Sequence, residues 1–374
     1  MSIYLDCNAT TPVSPTVAEL VTYYLREEFG NAGSRTHEFG LSAKHAVEKA
    51  RGQVASLADA DKSEVFFTSG ATESNNIAIL GLSAEAIKSG KRHIITTPIE
   101  HKAVLEPIGY LAKNGFDVTY LNVDQSGIVN PTDLKKSLRE DTLLVSIMHI
   151  NNETGSIQPI SEICKILEDH GAYFHIDAAQ GYGKYPEELT NSRIDMLSIS
   201  GHKLYAPKGI GALIVRRRGF SKIPLEPLMF GGGQEKGLRP GTLPVALIAG
   251  LGLACSEAQE HYLEWRNKCQ KIKTSLLDIL LPLGAKVNGE NSASHVLNIS
   301  IPHVNSEAAM VALKGIVAVS NGSACTSQNY TASHVLEAMG YDEERIDGAI
   351  RISWCYMTEE LPLKDIQEKI QRLL

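Results

Sequence analysis

Cysteine is scarce and scattered in this chain: six residues in 374, at positions 7, 164, 255, 269, 325 and 355, with no CxxC pair among them. So thin a set makes neither a disulfide scaffold nor a zinc module, and a reducing, cytoplasmic compartment is expected, with no structural metal. Long apolar runs are missing too. The longest, Val245 to Cys255, is too short to span a bilayer, so no membrane association is expected. The opening residues MSIYLDCNATTP lack the basic stretch and apolar core of a signal peptide. Positive charge is not in excess. A net charge of -7 argues against a protein that coats nucleic acid, and no direct nucleic-acid binding is expected. Repeats, low-complexity tracts and obvious linkers are likewise lacking. What remains is an ordinary soluble composition, 43% hydrophobic and 21% charged, in a chain long enough for two cores.

From about residue 60 the pattern alternates. Glu64-Val65-Phe66-Phe67, His93-Ile94-Ile95-Thr96, Thr142 to Ile150 and Tyr173-Phe174-His175-Ile176 read as buried strands. Helical stretches such as Asn75 to Lys88 and Ile160 to Asp169 lie between them. The expectation is an α/β fold, with a mainly parallel sheet covered by helices on both faces. Beyond residue 260 the rhythm changes to a charged helical stretch (Glu257 to Leu281), a strand at Val296-Leu297-Asn298-Ile299-Ser300, a Gly/Ser-rich loop and a final helix. This predicts a large domain over 12–260. A smaller α+β domain would be built from 1–11 with 261–374 and would carry the loop near 320–330.

Ligands of such sheets sit beyond the carboxyl ends of the strands, so the residues that follow each strand are the candidates for a site. Thr68-Ser69-Gly70-Ala71-Thr72-Glu73-Ser74 precedes a helix. Its small residues suit a phosphate held by backbone N–H groups, and it reads equally well as a capped helix with a tight turn. His101 begins a helix after Glu100 and, taken alone, is a cap or a packed surface residue. Asn151-Asn152-Glu153-Thr154-Gly155 could orient a polar ligand or simply build a turn. Asp177 ends the apolar run His175-Ile176 and needs a cationic or hydrogen-bonding partner. A protonated pyridinium ring would be such a partner. Ser198-Ile199-Ser200-Gly201-His202-Lys203 then supplies hydroxyls, an imidazole and an amine able to condense with an aldehyde. Phosphate cradle, ring-stacking group, pyridinium carboxylate and amine follow one another in the order that pyridoxal 5'-phosphate (PLP) requires.

At this point the chain resembles the cysteine desulfurases, a NifS/IscS-like branch of the class V aminotransferases among the fold-type I PLP enzymes. The resemblance runs through Tyr4-Leu5-Asp6, Asn8-Ala9-Thr10-Thr11-Pro12, Thr68 to Ser74, Glu100 to Val104, Met148 to Gly155, Ser200 to Lys203, Gly231 to Glu235, Arg239 to Pro244 and Gly322 to Ser327. It implies removal of sulfur from L-cysteine to give L-alanine, with a persulfide on Cys325. Lys203 would form the Schiff base with PLP, Asp177 would hold the ring nitrogen protonated, and Gln180 would bond the ring hydroxyl. His101 would stack on the ring and take part in proton transfer. Ala71, Thr72, Ser200 and His202 would hold the phosphate, with Thr242 reaching it across a homodimer interface. Asn152 and Arg351 would clamp the substrate carboxylate, Asn152 also lying against the cofactor. Cys325 stands among small polar residues from Ser320 to Asn329, which suits a reactive thiol better than a packed one, and a sulfur-acceptor protein is implied. The other five cysteines read as small core residues or inert surface thiols.

Several positions depart from the family pattern. Cys7 stands where an aromatic residue is common, Gly30 to His37 is a variant segment, and Trp354-Cys355 replaces a small-residue continuation. The chain also stops soon after its last helix. The short tail and the Trp354 region resemble the desulfurases dedicated to DNA phosphorothioation, with iron–sulfur assembly and tRNA thiolation as the other destinations for the sulfur. Selenocysteine lyase, another PLP-dependent lyase or transferase of the same fold, and a non-catalytic sulfur-transfer scaffold are the competing readings. Arg216-Arg217-Arg218 reads as a solvated strand end, with contact to an acidic partner as the alternative.

Overall fold

A computed structural model describes residues 2–321 and 332–374. Cys325 and its flanking residues 322–331 lie outside the described residues.

Seven strands form the principal sheet, in the order Val65–Thr68, Gly211–Val215, Met196–Ser200, Tyr173–Asp177, Thr142–Ser146, His93–Thr96, Asp117–Tyr120. Pairing is parallel from Met196–Ser200 to Asp117–Tyr120. Gly211–Val215 runs antiparallel to both of its neighbours. The sheet is therefore mainly parallel, as expected. Successive side chains of a strand point to opposite faces, and both faces are apolar here. Ile95, Val145 and Leu197 enter one core, whereas Ile94, Leu144 and Met196 enter the other. A second, antiparallel sheet joins Ala349–Ser353, Val296–Ser300 and Lys286–Val287. It has its own core of Leu297, Ile299, Ile350, Ile352 and Trp354, closed by Leu276, Leu280, Ile366 and Ile370.

Four local readings change. The strand expected over Thr142 to Ile150 ends at Ser146. The chain stays extended beyond it, with the N–H groups of Ile147 and His149 donating to the carbonyls of His175 and Asp177, but ladder pairing with His93–Thr96 stops at Val145. The helix expected over Asn75 to Lys88 is two helices, Ala71–Leu80 and Ser83–Ser89, so the small residues from Ala71 form its first turn rather than a loop before it. The charged helix expected from Glu257 begins at Val245 and runs unbroken to Leu280. Residue 260 thus lies inside a helix, whose first half packs with the large sheet and whose last turns join the small core. Gly252 permits this, because a Cβ there would sit 2.5 Å from the Cα of Ala50 on the helix Glu38–Ser56. Finally, Arg216 is not a solvated strand end. It is buried, and its guanidinium caps the carbonyls of Ala58, Leu189 and Asn191, while Arg218 pairs with Asp195 at 2.7 Å.

Candidate active site

The carboxyl ends of five strands converge on one cavity of about 380 Å³. Ala71 and Thr72 lie on it just past Val65–Thr68, His101 past His93–Thr96, and Asn152 past Thr142–Ser146. Asp177 ends the fourth strand and Gln180 follows it, while Ser200 ends the fifth and His202 and Lys203 follow. This is where an open α/β sheet places ligands, because the chain leaves each strand there and helix N-termini point at the same space.

At one end of the cavity the helix Ala71–Leu80 begins, with Gly70 as its cap. Its first N–H groups have no partner within the helix, and the positive end of its dipole faces an anion there. Gly211 makes room for this turn, since a Cβ on it would fall 2.6 Å from the Cα of Gly70. His202 shares a hydrogen bond between its Nδ1 and the Thr10 hydroxyl at 3.1 Å. Burial pushes its imidazole down to about 4, and Lys203 and Lys208 push the same way. A neutral His202 can therefore donate to a phosphate without carrying charge of its own.

Across the cavity, buried Asp177 is held by two donors. Asn75 Nδ2 donates to its Oδ2 at 2.8 Å, and the Ala179 N–H donates to Oδ1 at 3.0 Å. These two bonds orient the carboxyl group, which suits a ring N–H opposite. Gln180 donates from Nε2 to the Asn8 carbonyl at 3.0 Å, and its Oε1 is buried without a partner. That orphaned acceptor fits a ring hydroxyl. Lys203 Nζ donates to the carbonyls of Asn8 and Ala9, the latter at 2.7 Å. His101 caps the helix Lys102–Lys113 by accepting the Ala103 N–H on Nδ1 at 3.1 Å. Burial holds its imidazole below the ordinary range, so it is neutral near pH 7. The residues present thus match the donor and acceptor pattern of pyridoxal phosphate from phosphate to ring hydroxyl.

Arg351, on the small sheet, reaches into the same cavity although almost wholly buried. Its Nη2 donates to Asp6 Oδ1 at 2.7 Å and its Nη1 to the Asn152 carbonyl at 3.2 Å, while Nε is left without a partner. The guanidinium is therefore oriented on two sides, which a carboxylate clamp requires. Asn152 meets it through its backbone, not its amide side chain.

The single chain brings together every expected residue that is described except Thr242, which is exposed and does not line the cavity. Three functional neighbours escaped the sequence reading. Asn75 holds Asp177, Asn8 bridges Gln180, Lys203 and Asn152, and Asp6 pairs with Arg351. No local pattern marks Asn75, four residues into an ordinary-looking helix. All five described cysteines are buried and unpaired, so none is a surface thiol.

A sheet of this order, with a lysine, an aspartate and a helix N-terminus meeting at its strand ends, defines a fold-type I PLP enzyme. The comparisons narrow that class. The family described as Aminotransferase class-V matches residues 3–365. Cysteine desulfurase IscS of Dechloromonas aromatica (strain RCB) is 44% identical over 380 residues, covering 100% of this chain and 93% of that one. Among solved structures, a NifS-like protein superposes with a TM-score of 0.91 at 39% identity, covering 100% of this chain and 99% of that one. DndA from Streptomyces lividans gives 0.83 at 49% identity, covering 93% and 98%. The chain belongs to the aminotransferase class-V family and, within it, to the cysteine desulfurases.

Proposed function

We propose that this desulfurase moves the sulfur of L-cysteine onto Cys325, so that cysteine and the Cys325 thiol become alanine and a Cys325 persulfide. The observation that carries the site assignment is the joint presence of Lys203, Asp177, Gln180, His101 and Arg351 around one cavity. Pyridoxal phosphate, when bound, supplies an aldehyde for the amino group and a ring that withdraws electrons from the substrate's carbon skeleton. Asp177 keeps the ring nitrogen protonated, Gln180 takes the ring hydroxyl, and Ala71, Thr72, Ser200 and His202 take the phosphate. Arg351 and Asn152 fix the substrate carboxylate. Lys203 Nζ, aimed by the Asn8 and Ala9 carbonyls, takes and returns the proton at the substrate α-carbon. Neutral His101 serves as the second proton carrier. The Cys325 thiolate then attacks the substrate sulfur, and a proton completes the methyl group of alanine.

The division into a large part, 12–260, and a small part, 1–11 with 261–374, belongs to the same reading and is supported by the two separate cores. We take the working enzyme to be a homodimer in which Thr242 completes the partner's phosphate site. Exposed Leu228, Met229 and Phe230, close to Thr242 in the chain, support that arrangement. The final acceptor is read as a protein partner. DNA phosphorothioation stands beside iron–sulfur assembly and tRNA thiolation as a destination for the sulfur, and the similarity to DndA from Streptomyces lividans supports it. Among the described residues no helix is long and apolar enough to cross a membrane, and a reducing cytoplasm suits five unpaired thiols.

Mass spectrometry after brief exposure of the PLP-loaded enzyme to L-cysteine tests the reading. One added sulfur on the peptide containing Cys325, with matching alanine, is the expected result. Alanine without sulfur on that peptide, or equal turnover by Cys325→Ser, would overturn the assignment.

A further inference from the structure

Cys325 belongs to the stretch 322–331, outside the described residues; of the described residues on either side, Ser320 bonds to Arg351 of the substrate clamp and Ser333 to Glu153 beside it. On the amino-terminal side, Arg351 N–H donates to the Ser320 carbonyl at 2.6 Å and Ser320 N–H donates to the Arg351 carbonyl at 3.2 Å. On the carboxyl-terminal side, the Ser333 hydroxyl donates to Glu153 Oε2 at 2.5 Å. Glu153 directly follows Asn152, whose carbonyl receives Arg351.

The Glu153 side chain is one that the desulfurase chemistry described above does not use. It is buried, and a buried carboxylate needs a strong partner. The Ser333 bond has the short length of a charge-assisted O–H···O pair. Ser333 in turn caps the helix His334–Ala338 by accepting the Leu336 N–H at 3.2 Å. A second bond fixes that helix, from the His334 ring to the Glu100 carbonyl at 3.0 Å, one residue before His101. Val335, Leu336 and Met339 pack with Ile99 and Met148, which flank these same segments.

The turn that carries Glu153 is held by its own hydrogen bonds. Asn151 Oδ1 accepts the N–H groups of both Glu153 and Thr154, and Gly155 closes the turn at a φ of +80°. A change at Glu153 is therefore felt at Asn152 on one side and at Ser333 on the other.

We infer that Glu153 is a positioning residue for sulfur transfer: through Ser333, eight residues beyond Cys325 in the sequence, it fixes the start of the helix His334–Ala338 relative to the substrate clamp. This rests on the assignments of Asn152 and Arg351 to the substrate carboxylate and of Cys325 to the sulfur.

The test compares Glu153→Gln, Ser333→Ala and Ser333→Thr with the parent enzyme, all loaded with PLP and matched in thermal midpoint and cofactor content. Cysteine binding is read from the cofactor's visible absorbance, and the single-turnover rate of persulfide formation from mass spectrometry of the Cys325 peptide. Glu153→Gln and Ser333→Ala are expected to bind cysteine within about twofold of the parent and to form persulfide on the order of tenfold more slowly, since small displacements of reacting groups cost at least this much. Ser333→Thr, which keeps the hydroxyl, is expected to restore the rate. Unchanged rates in all three variants overturn the inference. So does weakened binding with an unchanged rate in the bound enzyme, which would place Glu153 in the clamp itself. If the parent enzyme forms no persulfide on Cys325, the reading of the function fails instead, whatever the variants do.

Discussion

Arg351 and Asp6 stand 345 residues apart in the chain and are joined by a 2.7 Å hydrogen bond that aims a buried guanidinium into the active-site cavity. The isolated parallel bridge between Asp6 and Ser353 brings them together, laying the first residues of the chain beside the small sheet. Asp6 does not itself line the cavity, and with Arg351 in the proposed clamp it would act on substrate binding through that bond.

Asp6→Asn is expected to raise KM for cysteine on the order of tenfold with a smaller effect on kcat, because hydrogen bonds to charged groups are worth roughly 1.5–3 kcal/mol. Steady-state alanine production against cysteine concentration measures it. A fall in kcat at unchanged KM would contradict the role given to Arg351.

Glu100 is fully buried, and burial pushes its carboxyl up from 4.5 to about 8. The folded protein therefore holds a proton between these values that the unfolded chain gives up. Its contribution to stability is complete below pH 4.5, declines as pH rises through that window, and changes no further above about 8. Glu100→Gln keeps an oxygen for the Thr97 hydroxyl and the Met148 N–H. Its thermal midpoint should match the parent near pH 5 and exceed it at pH 8.5. Parallel midpoint curves for the two proteins would refute this.

His149 and His175 give the opposite slope. Burial lowers them to about 4 and about 3 from 6.5. The unfolded chain binds protons in that window, so their contribution is present above pH 6.5 and is lost on acidification towards 3. Acid unfolding monitored by circular dichroism should start below pH 6.5, and His175→Asn should move its midpoint to lower pH.

Native alkylation should separate the thiols. Burial raises Cys164 and Cys269 to about 12, and Cys355, although its contact with Cys7 lowers it from the ordinary thiol value, is 2% exposed. A bulky maleimide is therefore expected to add once, at Cys325, before unfolding and six times after it. Rapid labelling of Cys355 in the native protein would show that the large core opens around it.

Trp354→Ala should cost about 3–5 kcal/mol of stability, the range for deleting a large buried aromatic. Its indole is fully buried and donates to the Cys269 carbonyl at 3.0 Å. Denaturant unfolding measures the loss, and PLP content at low denaturant should remain near that of the parent.

Asp177, His101 and Lys203 were legible from sequence because each ends or follows an apolar strand, and the strand period itself marks where a ligand site falls. The long helix was less legible. Val245 to Cys255 is apolar on all sides and Glu257 onward is charged, so composition changes partway along one continuous element. For Arg216 charge predicts exposure, whereas the carbonyls of Ala58, Leu189 and Asn191 reach it from segments distant in sequence and bury it.

By itself the sequence determined the alternation of strands and helices and the residue types at each strand end. Those follow from local periodicity, from capping, and from the cost of burying an unpaired charge. Tertiary structure alone decided which groups face one another: Asn75 with Asp177, Asp6 with Arg351, Glu153 with Ser333. Each pair joins residues far apart in the chain, and such a contact leaves no periodic trace in either segment. It exists because two packed sheets and the long helix fix the distance between them.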